Sequence, residues 1–121
     1  LFLKSRVMSR GVSHAVIDAG HKSHAIDSGL PRVWQRELDY INGGDEHGIL
    51  RPRSGAGVGE LPSLDATVWL VPGHCDPTVN LHDRYVAGRG GLAAGRGGAG
   101  VGRQPRGGGP PAGGGGGRGT R

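Results

Sequence analysis

A small, mainly β domain followed by a disordered Gly/Arg-rich tail is the fold class that the sequence predicts. Three observations carry it. The apolar segments before residue 88 are short, β-branched and separated by Gly, Pro and Asn turn signals. Residues 88–121 contain 17 Gly, 6 Arg and 3 Pro, with no acidic and no aromatic residue. The whole chain, 121 residues with 34% apolar composition, has room for one small domain only.

The elements follow in order. Residues 1–11 read as a leading segment. They begin without Met and carry too short an apolar run for a signal peptide, so the chain reads as a fragment or as an internal start. His14 to Asp18 is a β-branched run ending at Gly20 and predicts a strand. His21 to Asp27 fits a second extended piece or a turn of helix. Ser28-Gly29-Leu30-Pro31 is a turn signal. Leu38 to Ile41 predicts a strand closed by Asn42-Gly43-Gly44. Gly48 to Leu50 starts another, which Pro52 should break, and Ser54 to Gly59 is a loop. Thr67 to Val71 is the strongest strand, β-branched, aromatic and apolar throughout, and Pro72-Gly73 ends it. Pro77 to Asp83 fits a helical turn with Pro77 near its first position. Arg84 to Ala87 starts a strand that then dissolves into glycine.

Charge divides the chain at the same place as composition. Residues 1–87 hold nine Lys or Arg against ten Asp or Glu, and the tail holds six Arg against no acid. The net charge of +5 is therefore a property of the tail. No apolar run approaches the ~18–20 residues of a spanning helix, so no membrane partner is expected. The single Cys75 excludes an intrachain disulfide and a Cys-rich zinc module, which fits a cytoplasmic location.

Three polar clusters are candidates for chemistry. The densest runs from Pro72 to Asp83. In extended backbone His74 and Asp76 would project from one face, so an imidazole nitrogen and a carboxylate oxygen could meet at one divalent cation. A turn with a capping Asp and a hydrogen-bonded His is the plain alternative. The second cluster, Asp18 to Gly29, places two His, one Lys and two Asp in twelve positions. Lys22 there is a candidate Schiff-base amine, or a solvated loop lysine, which local sequence favours. The third is Asp45-Glu46-His47-Gly48, a substrate contact or a turn at a strand start.

Taken together and in this order, Asp18-Ala-Gly-His-Lys-Ser-His-Ala-Ile-Asp-Ser-Gly-Leu-Pro31, Asn42-Gly-Gly-Asp-Glu-His-Gly48 and Val71-Pro-Gly-His-Cys-Asp-Pro-Thr-Val-Asn-Leu-His-Asp-Arg-Tyr-Val86 closely resemble the C-terminal β domain of the D-threonine aldolase / D-serine dehydratase-like family. The resemblance covers residues 12–87. It implies the C-terminal β domain of a fold-type III enzyme, of the alanine-racemase type, in which a barrel carries pyridoxal phosphate and the β domain carries a divalent metal. His74 matches the ligand His. Asp76 matches the second ligand, which is Asp in the aldolases and Cys in the zinc-dependent dehydratases, so the aldolase-like variant with Mn²⁺ or Zn²⁺ fits better. The implied metal role is to polarise the β-hydroxyl of a D-β-hydroxy amino acid as the Cα–Cβ bond or the hydroxide leaves, with pyridoxal phosphate taking up the electrons.

Two departures accompany the match. The sequence holds no (β/α) repeat and no phosphate loop, and Lys22 does not match the cofactor lysine. The isolated chain is thus expected to be a fragment without lyase activity, its partner being the missing cofactor barrel. Beyond Val86 the family continues as apolar strand and this chain does not, so the β domain is expected to be incomplete, with unpaired edges. For the tail, out-of-frame reading of GC-rich DNA is the preferred expectation. A passive disordered linker and an Arg-Gly-Gly segment that binds nucleic acid are the alternatives. Nucleic-acid binding is the less expected, because the tail has no aromatic to stack on bases.

Overall fold

The computed structural model describes residues 1–89 and 92–98. Strands β1 (Leu3–Arg10), β2 (Ala15–Ile17), β3 (Arg32–Val33), β4 (Leu38–Asn42), β5 (Gly48–Pro52) and β6 (Thr67–Val71) form one six-stranded sheet, ordered β3-β6-β1-β2-β5-β4. All of its pairings are antiparallel. The two end strands, β3 and β4, come within contact of each other, so the sheet curls into a nearly closed barrel. This bears out the mainly β reading.

The alternation that builds the barrel is visible strand by strand. Val68 and Leu70 of β6 point inward and Trp69 outward. Ala15 and Ile17 of β2, Leu38 and Tyr40 of β4, and Leu50 of β5 complete the interior with Val7, Ala19, Val33 and Leu61. A period of two on strands whose other face meets solvent is what such a one-sided core requires. Leu61 comes from the short 3₁₀ turn Val58–Glu60 and its exit, not from a strand.

Residues 1–11, expected as a leading segment, supply β1 in the middle of this sheet. Residues Leu3 to Arg6 pair with β6, with Leu3 opposite Leu70 and Arg6 opposite Thr67. Val7 to Arg10 pair with β2, with a bulge between Val7 and Ser9. β1 thus changes partner halfway along, and it joins the two halves of the barrel. Its inward row is Leu3, Ser5 and Val7, and the buried Ser5 hydroxyl donates to the Val68 carbonyl at 3.0 Å. A hydroxyl with a backbone partner can occupy a core position at little cost.

Other expectations shift by a few residues. Pro52 does not break β5 but ends it, opposite Leu38, a terminal position where its missing N–H is tolerated. His21 to Asp27 is neither strand nor helix; it forms consecutive turns, with the Ser23 N–H on the Gly20 carbonyl at 2.9 Å. A five-residue helix, α1 (Cys75–Val79), begins two residues before Pro77. Beyond the barrel, β7 (Arg84–Arg89) pairs antiparallel with β8 (Leu92–Gly98) as a separate two-stranded sheet. The backbone therefore continues as a ladder over part of the stretch expected to be disordered. The rest of that expectation, and of the alternatives for the tail, lies outside the described residues.

Candidate functional site

The three polar clusters meet at one rim of the barrel. The first, leaving β2, lies against the second, which joins β4 to β5. His21 N–H donates to the Gly44 carbonyl at 3.1 Å and Lys22 N–H to the Asp45 carbonyl at 3.0 Å. The backbones approach so closely that a Cβ on Gly20 would stand 2.4 Å from the Gly44 oxygen. Side chains add to this seam. The Asn42 amide hydrogen-bonds the His21 imidazole, and Lys22 pairs with Glu46 at 2.6 Å.

The first cluster also docks on the third. Thr78, buried in α1, uses its hydroxyl twice: it donates to the His74 carbonyl at 2.7 Å and accepts the Ala25 N–H at 3.1 Å. His82 donates through Nε2 to the Ser23 carbonyl at 2.7 Å. At the other end of the contact Gly73 lies against the Ser28-Gly29 backbone, where a Cβ would meet the Gly29 oxygen at 2.6 Å.

This packing brings Asp27 to His74. The His74 imidazole donates through Nδ1 to Asp27 Oδ2 at 2.8 Å, across 47 residues of sequence. That hydrogen bond raises the His74 pKa above its ordinary value, and Asp76 adds to the effect through its charge. The same bond lowers the Asp27 pKa. Both side chains are about half exposed, so solvent screens the pair.

The two residues singled out as metal ligands are close in sequence, yet not in the geometry expected of them. His74 is extended, with φ −146° and ψ 125°, but it is the N-cap residue of α1, and Asp76 sits in the first helical turn. Residues two apart in a helix do not share a face as they do in a strand. The helix forms here because Pro77 has a φ suited to a first turn and because Thr78 bonds back to the His74 carbonyl. Among the described residues no three His, Cys, Asp or Glu side chains converge as a metal cage. The donor chemistry nonetheless suits a partial site. With Nδ1 donating to a carboxylate, the neutral His74 ring keeps its lone pair on Nε2, the arrangement that metal-bound imidazoles favour.

Cofactor chemistry through a lysine of this chain does not fit. The chain has two lysines. Lys22 is exposed and ion-paired, and the hydrogen bond it donates to Glu46 raises its pKa. Lys4 lies over the Trp69 ring, 5.8 Å from its centroid. A Schiff-base amine needs the opposite, a lowered pKa in a desolvated pocket. The solvated reading of Lys22 therefore describes it.

One contact and one network have no signal in the local sequence. Asp27 stood within the second cluster, but nothing local linked it to His74. His24 is buried among the strands, with Nε2 donating to Tyr40 Oη at 2.9 Å while Tyr40 donates to the Ala19 carbonyl at 2.8 Å. Burial pushes the Tyr40 pKa up to about 12 and lowers that of His24. Among the described residues His24 Nδ1 has no hydrogen-bond partner. The network fastens the base of the first cluster to the barrel interior.

With the geometry in view, the likenesses to known proteins are informative. Residues 1–87 match the family model described as "Putative serine dehydratase domain", so the match extends over β1. A 3-hydroxy-D-aspartate aldolase from Paracoccus denitrificans is 45% identical over 93 residues, 75% of this chain and 23% of that protein. A D-threonine aldolase from an Arthrobacter species is 43% identical over 94 residues, 76% of this chain and 24% of that protein. The crystal structure of D-threonine aldolase from Filomicrobium marinum superposes with a TM-score of 0.75 at 39% identity, over 81% of this chain and 27% of that one. The chain thus spans about a quarter of the length of the relatives it matches. Its nearly closed barrel, its three rim motifs and a family match over 87 of 121 residues make it a member of the D-serine dehydratase / D-threonine aldolase family.

Proposed function

We propose that this chain is the small β domain of a metal-assisted, pyridoxal-phosphate-dependent lyase for D-β-hydroxy amino acids, with His74 and Asp76 as its donors to Mn²⁺ or Zn²⁺. The observation that carries the reading is the His74–Asp27 pair at 2.8 Å, which engages Nδ1 of a half-exposed imidazole at the rim where the three motifs meet. Two aldolase relatives that act on D-amino acids by name support the substrate class. A divalent cation, when bound, supplies Lewis acidity at a substrate hydroxyl. This chain's own contribution is to hold one imidazole and one carboxylate at the rim, and to keep the loop bearing Asp27 fixed on α1 through Thr78.

The remaining three quarters of the relatives' length is the place for the cofactor lysine, since neither lysine here suits that role. The chain on its own should therefore show no cleavage of D-threonine and no deamination of D-serine with added pyridoxal phosphate and Mn²⁺; measurable turnover would refute this. The metal assignment is tested by titrating the full chain and a His74→Ala variant with Mn²⁺. Loss of binding in the variant is expected, and unchanged binding removes His74 from the site.

A further inference from the structure

We propose that Asp27 is a positioning residue for His74: it holds the ring and fixes the imidazole as the Nδ1–H tautomer, which leaves the lone pair on Nε2 for a metal. The inference rests on the metal reading above for its purpose, but its geometry stands on contacts of this chain. His74 is an N-cap residue whose side chain makes no capping hydrogen bond. Its ring is about half exposed, and such a ring would otherwise turn freely about two torsions. The bond to Asp27 Oδ2 holds it, and a carboxylate, which can only accept, dictates which nitrogen bears the proton.

Asp27 can do this because its own backbone is tied to the same helix. The Ala25 N–H reaches Thr78 Oγ1, and that hydroxyl in turn reaches the His74 carbonyl. One buried hydroxyl thereby couples the two segments that carry the pair. His82 on the Ser23 carbonyl and the Gly29 N–H on the Ile26 carbonyl, at 3.1 Å, fix the two ends of the segment. Carboxylates that accept from the far nitrogen of a metal-bound imidazole typically contribute 10–100-fold in metal affinity.

The test uses the full chain, with Mn²⁺ as the probe followed by the loss of its free-ion EPR signal. The tautomer of His74 is read separately by ¹⁵N NMR of the metal-free protein, at a pH where the ring is neutral. Asp27→Ala should weaken Mn²⁺ binding by about 10–100-fold and release the ring to a mixture of tautomers. The thermal midpoint should stay unchanged, because an exposed pair adds little to stability. Asp27→Asn, whose amide oxygen still accepts, should keep the Nδ1–H tautomer. If His74→Ala abolishes binding while Asp27→Ala binds as the parent does, the positioning role is overturned and the metal reading stands. If His74→Ala binds normally, the metal reading falls, and the NMR result alone judges Asp27: a His74 ring that keeps one tautomer in Asp27→Ala overturns the inference.

Discussion

The body of the barrel and its rim are held together by different forces. In the body, eleven apolar side chains pack in one cluster, and polar atoms that enter it, such as the Ser5 hydroxyl and His24 Nε2, arrive with partners. At the rim, the three motif loops meet through backbone amides, one buried hydroxyl and exposed charge pairs. Apolar burial is non-directional and tolerates small shifts, whereas hydrogen bonds fix orientation within tenths of an ångström. Folding and site geometry are accordingly carried by nearly separate sets of residues. The His24–Tyr40 pair belongs to both.

This division can be broken at its strongest point first. Leu50 is fully buried on β5, and Leu50→Ala should cost about 2–5 kcal/mol, enough to unfold a marginal domain; thermal melting followed by circular dichroism reads it. A midpoint within a degree of the parent would mean that the barrel is not the stabilising unit.

A smaller effect tests the residues shared by body and rim. His24 is buried with its pKa lowered, chiefly by desolvation, against the opposing effect of the Ala25 backbone and in concert with His21. The unfolded chain therefore binds the proton more readily. Stability from a neutral His24 is fully present above the ordinary pKa near 6.5 and is lost as the pH falls toward the lowered value. The melting temperature should decline from about pH 6.5 downward, and His24→Gln should flatten that decline. His74 acts in the opposite sense. Its raised pKa gives stability that is present below about 6.5 and lost as the pH rises through the raised value. Because that pair is exposed, the His24 trend should dominate.

The smallest effect belongs to a rim charge. Lys22→Ala removes the exposed pair with Glu46 and should leave both the melting temperature and Mn²⁺ binding unchanged within error. A loss of binding would show that the Lys22–Glu46 seam positions the rim.

How much of this was legible in the sequence depends on where each residue's partner lies. Thr67–Val71 could be read because its own composition demands a strand. β4 and β5 were signalled by alternation and by the Asn-Gly-Gly turn that ends one of them. β1 was missed because Ser5 interrupts the apolar row, and only a carbonyl 63 residues away makes a serine acceptable there. The three motifs were visible as clusters and as a resemblance, and their convergence on one rim is a matter of tertiary structure. His74 was identified, but Asp27 was not linked to it, since their pairing spans 47 residues. The extended geometry assumed for His74 and Asp76 failed because Thr78 favours a helical turn by bonding back to residue 74.

The change of partner midway along β1 has a consequence for how the domain assembles. Its second half closes with β2 across a short connection, with Arg10 opposite Ala15 and Val7 opposite Ile17. Its first half must wait for β6, more than sixty residues later. Loop-closure entropy favours the nearer pairing first. Until β6 arrives, Leu3 to Ser5 present to whatever strand is nearest the backbone groups that β6 will pair. The same strand that unites the two halves of the finished barrel is thus, during folding, the edge most open to pairing with another chain.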